Sequence, residues 1–135
     1  MLNSLIRNTF RKPEKICNQK QIDTLFASGK SYTNGLFRLI YIETTPVGIP
    51  PVQVLIAVPK KNLRNAVDRN RMKRLIREAY RLSKHKTIAF LDKAGKHYDI
   101  AFVFTGKICV SQSETLAAIN VLLDRLISIH EKKSE

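Results

Sequence analysis

Residues 65–81 read NAVDRNRMKRLIREAYR, from Asn65 to Arg81. Wound as a helix at about 100° per residue, the stretch gathers Met72, Leu75, Ile76, Ala79 and Tyr80 on one side. Asn70, Lys73, Arg74, Arg77 and Arg81 fall on the opposite side, with Arg69 and Arg71 on the two flanks. The helix is therefore apolar behind and cationic in front. Any soluble amphipathic helix shows a charged outer face, but such a face ordinarily mixes signs. Between Lys60 and Lys86 eleven Lys or Arg stand against two acids, Asp68 and Glu78, so this segment carries +9 of the chain's formal +13. Like charges spaced i,i+4, as in Lys73 with Arg77 and Arg77 with Arg81, oppose an isolated helix by a few tenths of a kcal/mol each. A polyanion would relieve that repulsion. Arginine suits the task because its planar guanidinium grips phosphate through two parallel hydrogen bonds, where lysine offers only a compact point charge.

Working outward, 135 residues with 44% hydrophobic content fit one domain able to bury a core. A pI near 10.1 points to nucleic acid or an anionic membrane surface. The membrane option is the weaker one: no long apolar run occurs, and the opening MLNSLIRNTFRK lacks the apolar stretch and cleavage site of a secretory signal. The cytoplasm is the expected compartment. Cys17 and Cys109 are isolated and far apart, which suits reduced, space-filling thiols better than a zinc site or a disulfide.

Upstream, residues 1–12 read as a flexible basic arm, followed by a single domain over 13–130 and a frayed tail at 131–135. Asn18, three residues before Gln21, is a capping-box variant ahead of Ile22, Leu25 and Phe26, a short helix closed by Gly29. Phe26 reads as a core anchor. LFRLIYIE (36–43) is a strand, and TTPVGIPP a loop. VQVLIAV (52–58), apolar at nearly every position, reads as the centre of the sheet. Asn62 or Asn65 caps the basic helix, whose Asp68 suits the helix dipole.

Downstream, KHKTIAFLDKAGKH (84–97) fits either a helical extension ending at Gly95 or a loop. YDIAFVF (98–104) is another nearly all-apolar strand. Ser111 to Glu114 forms a capping box before Leu116, Ile119, Leu123, Leu126 and Ile127 at helical spacing. The sum is an α/β sandwich with helices over a small sheet, to which the Asn34–Gly35 region or the arm adds a further short strand.

Catalytic machinery is not visible. Metal-dependent phosphodiester cleavage needs converging carboxylates, and the eleven acids are scattered singly. No DxD, HExxH, GxSxG or phosphate-cradling glycine loop occurs, and His85, His97 and His130 stand apart from each other and from any acid partner. The chain reads as a binder with no catalytic residue and no metal ligand of its own.

The run AVPKK (57–61), followed by Arg69-Asn70-Arg71, Lys73-Arg74 and Arg77-Glu78, resembles the protein subunit of bacterial ribonuclease P. The likeness continues loosely through Phe26, Gly29 and Phe37 and into DIAFVF, over roughly two thirds of the chain. That resemblance implies a protein that assists a catalytic RNA in removing the 5′ leader of precursor tRNA, with Mg²⁺ held mainly by the RNA. It implies an RNA-binding face of Lys60, Lys61, Arg69, Asn70, Arg71, Lys73, Arg74, Arg77 and Arg81. A leader-binding surface between the first helix and the sheet is implied as well, using Phe26 and Phe37 with Tyr32 or Tyr41, because aromatic faces stack on bases without demanding sequence. It further implies a central four-stranded sheet like the second domain of ribosomal protein S5, with a left-handed crossover through the basic helix, against the usual right hand. The partners implied are the ribonuclease P RNA and precursor tRNA, with no membrane and no DNA. The chain departs from the family pattern in two ways: Ile22 and Ile40 stand where an aromatic is common, and Asn62-Leu63-Arg64 replaces a shorter glycine-containing turn. The alternatives that share these electrostatics are a ribosomal-type structural RNA binder and a DNA-binding module with its basic helix in a major groove.

Overall fold

The structure, a computed structural model, describes residues 15–16, 18–44 and 51–134, with side chains as far as Ile129. The arm expected over 1–12, the loop over 45–50 and Cys17 lie outside the described residues. Three helices and four strands follow in the order α1 (Gln19–Ser28), β1 (Lys30–Asn34), β2 (Phe37–Thr44), β3 (Val52–Ala57), α2 (Ala66–Ala94), β4 (His97–Phe104) and α3 (Gln112–Ser134).

The sheet order is β1-β2-β4-β3. β1, β2 and β4 run antiparallel in turn, while β3 lies parallel to β4 and reaches it through α2. The further strand is β1, joined to β2 by the two-residue turn Gly35-Leu36. Of these two residues Gly35 alone has positive φ (61°), the sign pattern of a type II′ turn, which takes glycine first.

Both helix ends of α2 have local causes. The Asn65 side chain accepts from the Val67 amide at 2.9 Å, so Asn65, not Asn62, is the cap. At the far end Gly95 (φ 69°) donates to Asp92 O and Lys96 donates to Leu91 O, a Schellman pair. The segment at 84–94 is therefore helix, because nothing between Ser83 and Gly95 breaks the i→i−4 ladder. α3 starts on Ser111, whose Oγ accepts from the Glu114 amide at 3.2 Å, and its backbone continues to Ser134, past the point where a frayed tail was expected.

Strand alternation sorts the side chains into two layers. Phe37, Leu39, Tyr41, Val52, Val54, Tyr98, Ile100, Phe102 and Phe104 face α2 and α3 and form the main core with Met72, Ile76, Tyr80, Ile119 and Leu123. The other face carries a smaller cluster of Ile40 and Ala101 under Leu25 of α1 and Ile16. One expectation is overturned here: β3 is an edge strand, and the sheet's buried centre is β2 with β4. β3 looks central in sequence because it is partly covered on both faces, and its outer edge is occupied by Ile16, whose amide donates to Val54 O at 3.0 Å. Among the described residues no helix is long and apolar enough to cross a membrane.

Candidate nucleic-acid interface

Helix α2 keeps the two-sided character its sequence predicts. Met72, Ile76, Ala79 and Tyr80 are buried, Leu75 packs beside them, and the Tyr80 ring lies 5.8 Å from Phe102 in a tilted pair. On the outward side Asn70, Arg71, Arg74 and Arg77 are exposed and Lys73 is half-buried. Among the described residues Arg71, Arg74 and Arg77 have no carboxylate within ion-pair distance. Three guanidiniums, successive at three-residue spacing and without an internal acid, are what a phosphate-binding face requires.

Lys60 and Lys61 are exposed in the turn that leaves β3. This turn is held at several points. Pro59 O accepts from the Asn62 and Leu63 amides at 3.1 and 3.3 Å, Asn62 Nδ2 donates to Phe104 O at 3.1 Å, and Leu63 is buried in the core. The segment after β4 is drawn toward the same helix end, with Cys109 Sγ 3.7 Å from Asp68 O. Burial, then the Asp68 carboxylate, push the Cys109 thiol up, while Arg71 pulls it the other way.

Two cations expected in the patch, and a third from the same charged segment, behave differently. Arg69 is half-buried and turned back, its Nη1 donating to Leu63 O at 2.9 Å and Arg64 O at 2.7 Å. Arg81 is paired with Glu78: Nε, at 3.2 Å, and Nη2 each donate to a carboxylate oxygen, so the hydrogen bond lowers the Glu78 pKa and raises that of Arg81. Lys84, part of the +9 segment, is fully buried on the core side of α2. The surface charge is smaller and more sharply placed than composition implies.

The four aromatic candidates for a leader surface do not come together. Phe37 and Tyr41 belong to the main core, Phe37 5.3 Å from Phe104 and Tyr41 6.5 Å from Tyr98. Tyr32 packs against the same core, with the Arg125 guanidinium 4.9 Å from its ring centre. All three lie on the α2–α3 face of the sheet, away from α1. Their parity along the strands explains it, since residues two apart share a face. Phe26 departs from the core-anchor reading in the opposite sense: on α1, one turn beyond Ile22, it is 47% exposed.

The α1 face itself contains residues that pattern reading missed. Register places Arg38, Val103 and Ala57 in one row across β2, β4 and β3, and Ile40, Ala101 and Leu55 in the next. α1 covers Ile40 and Ala101 of the second row, leaving Arg38 exposed and Val103, Ala57 and Leu55 half-buried. The open row ends at Ala57, a few residues before Lys60, so the cationic turn continues from it. The available signal was Arg38, a charge of the same parity as Ile40 and Ile42. Farther down this face His97 and Asp99 are buried, with Nε2 and Oδ1 3.7 Å apart, correcting the expectation that no histidine has an acid neighbour. Gln21 ties α1 to that corner by donating to Gln53 Oε1 at 3.0 Å and Asp99 Oδ2 at 3.4 Å, in place of a back-bond to its own helix cap.

The sequence profile of the family described as Ribonuclease P matches residues 10–126. The chain is 40% identical over 114 residues to the ribonuclease P protein component of Chlorobium phaeobacteroides, covering 78% of each chain. It is 37% identical over 92 residues to the corresponding protein of Porphyromonas gingivalis, covering 68% of this chain and 67% of the relative. Its fold is similar to that of the RNase P protein of Staphylococcus aureus, with a TM-score of 0.65 at 21% identity over 85% of this chain and 96% of that one. The RNase P protein of Thermotoga maritima superposes with a TM-score of 0.63 at 24% identity over 83% and 96%.

Proposed function

The chain belongs to the ribonuclease P protein component family, the protein part of a tRNA-processing endoribonuclease, and from that premise we propose how it serves the complex. The outward face of α2, with Lys60 and Lys61, binds the catalytic RNA, while the open row of the α1 face takes the single-stranded 5′ leader of precursor tRNA. The observation that carries this reading is the exposure of Arg71, Arg74 and Arg77 side by side on one helix face with no internal acid among the described residues. Asn70 and Lys73 complete that contact set.

The chemistry is electrostatic. Cations fixed on a helix neutralise phosphates and release counterions, which draws RNA segments together that would otherwise repel. The leader, being single-stranded, exposes base faces to Phe26 and phosphates to Arg38. Bond cleavage stays with the RNA and its Mg²⁺. Among the described residues no three His, Cys, Asp or Glu side chains come together, and the charge around α2 is positive. The complex works in the cytoplasm.

The test is reconstitution. Precursor tRNA, the cognate ribonuclease P RNA and low Mg²⁺ are combined with and without this chain. Leader removal is expected to depend on the protein under those conditions, with none by the protein alone. Unchanged cleavage together with tight binding to ribosomal RNA would replace this reading by a ribosomal-type one.

A further inference from the structure

Arg69 sits on the first turns of α2 and, like every helical side chain, leans toward the helix N-terminus. There it meets two carbonyls that precede the helix and have no place in its hydrogen-bond ladder, Leu63 O at 2.9 Å and Arg64 O at 2.7 Å. A charged donor bridging two adjacent carbonyls holds the peptide between them in one orientation. The same short segment is fixed from two other directions, by Asn62 Nδ2 on Phe104 O and by the Asn65 cap on Val67. Its exposed cations are Lys60, Lys61 and Arg64.

We infer that Arg69 is a positioning residue: it fixes the Lys60–Asn65 turn so that Lys60, Lys61 and Arg64 meet RNA as a preformed cationic group. This rests on the RNA-binding reading above and assigns Arg69 a different task from Arg71, Arg74 and Arg77. A turn loses entropy on ordering, so a side chain that orders it in advance removes that cost from binding.

Two measurements on the full chain test the inference. In the free protein, Arg69→Ala is expected to speed hydrogen exchange at the Asn62 and Leu63 amides, both bonded to Pro59 O, whereas Arg71→Ala leaves them unchanged. In binding to ribonuclease P RNA, Arg69→Ala should cost about tenfold in the wild-type background and under about threefold where Lys60, Lys61 and Arg64 are already alanine, since coupled groups do not add. Its loss should add fully to that of Arg71→Ala. A purely structural role would lower the folded fraction without this selective coupling, and urea unfolding of each variant monitors that fraction. Unchanged exchange, or a loss additive with the turn cations, overturns the assignment. If the triple turn variant binds RNA as tightly as the parent, the assignment falls through the interface reading, even if Arg69→Ala speeds exchange at the turn.

Discussion

The two faces of the β2–β4–β3 sheet are made by alternate residues of the same strands, yet one is a sealed aromatic core and the other is half open. Toward α2 and α3 stand Phe37, Tyr41, Tyr98, Phe102 and Phe104, all at or below 7% exposure. Toward α1 stand Ile40, Ala101 and Leu55, with Val103 half-buried beside them and Arg38 exposed. A single short helix cannot cover the face that two long helices cover opposite. The bulky rings therefore supply stability, and the partly open face carries aliphatic side chains and one arginine. An aromatic residue's place in a family pattern does not say which layer it occupies; its parity does.

That contrast is easiest to break with paired substitutions. Phe37→Ala empties a core position and is expected to cost about 3–5 kcal/mol of stability by urea unfolding. The folded fraction should still distinguish leader-bearing from mature tRNA as the parent does. A stable Phe37→Ala protein that lost this distinction would place Phe37 functionally on the wrong side of the sheet. Phe26→Ala should do the reverse, leaving stability within about 0.5 kcal/mol, as for an exposed site. It should remove about 1–3 kcal/mol of the preference for leader-bearing precursor, the worth of one base stacked on a ring. An unchanged preference for the leader-bearing precursor after the substitution would exclude Phe26 from the leader surface.

A smaller effect reads the sealed side through pH. Burial, and then the Glu43 carboxylate, push the Tyr98 hydroxyl up to about 12 from an ordinary 10.0. Above pH 10 the unfolded chain releases this proton while the folded protein keeps it. The stability contribution is thus complete below about pH 10 and is lost as pH rises toward about 12. Tyr98→Phe should flatten that alkaline fall in the urea midpoint, and an unchanged slope would show that Tyr98 ionises as freely in the fold as outside it.

Much of this architecture is legible in the chain. The 3.6-residue period of Met72, Ile76, Ala79 and Tyr80 identifies the buried side of α2, and Ser111 and Gly29 mark helix ends, because those signals are local. The position of β3 is not, since a strand covered on both faces reads the same at an edge as at the centre. Sheet order is decided by the parallel pairing with β4, a contact across α2. The candidate site divides in the same way. Exposure of Arg71, Arg74 and Arg77 follows from helix geometry alone. The withdrawal of Arg69 onto Leu63 O and Arg64 O, the pairing of Arg81 with Glu78 and the burial of Lys84 depend on where backbone and neighbouring side chains come to rest. A count of positive residues contains none of that.

Under the proposed function the outward arginines of α2 contact RNA phosphates, which the salt dependence of binding to ribonuclease P RNA tests by comparing the parent with Arg71→Ala/Arg74→Ala/Arg77→Ala. If each arginine neutralises one phosphate, the slope of log K against log salt should become shallower by about 2 to 3, at about 0.7–0.9 per contact. The same slope and the same affinity in both proteins would contradict it.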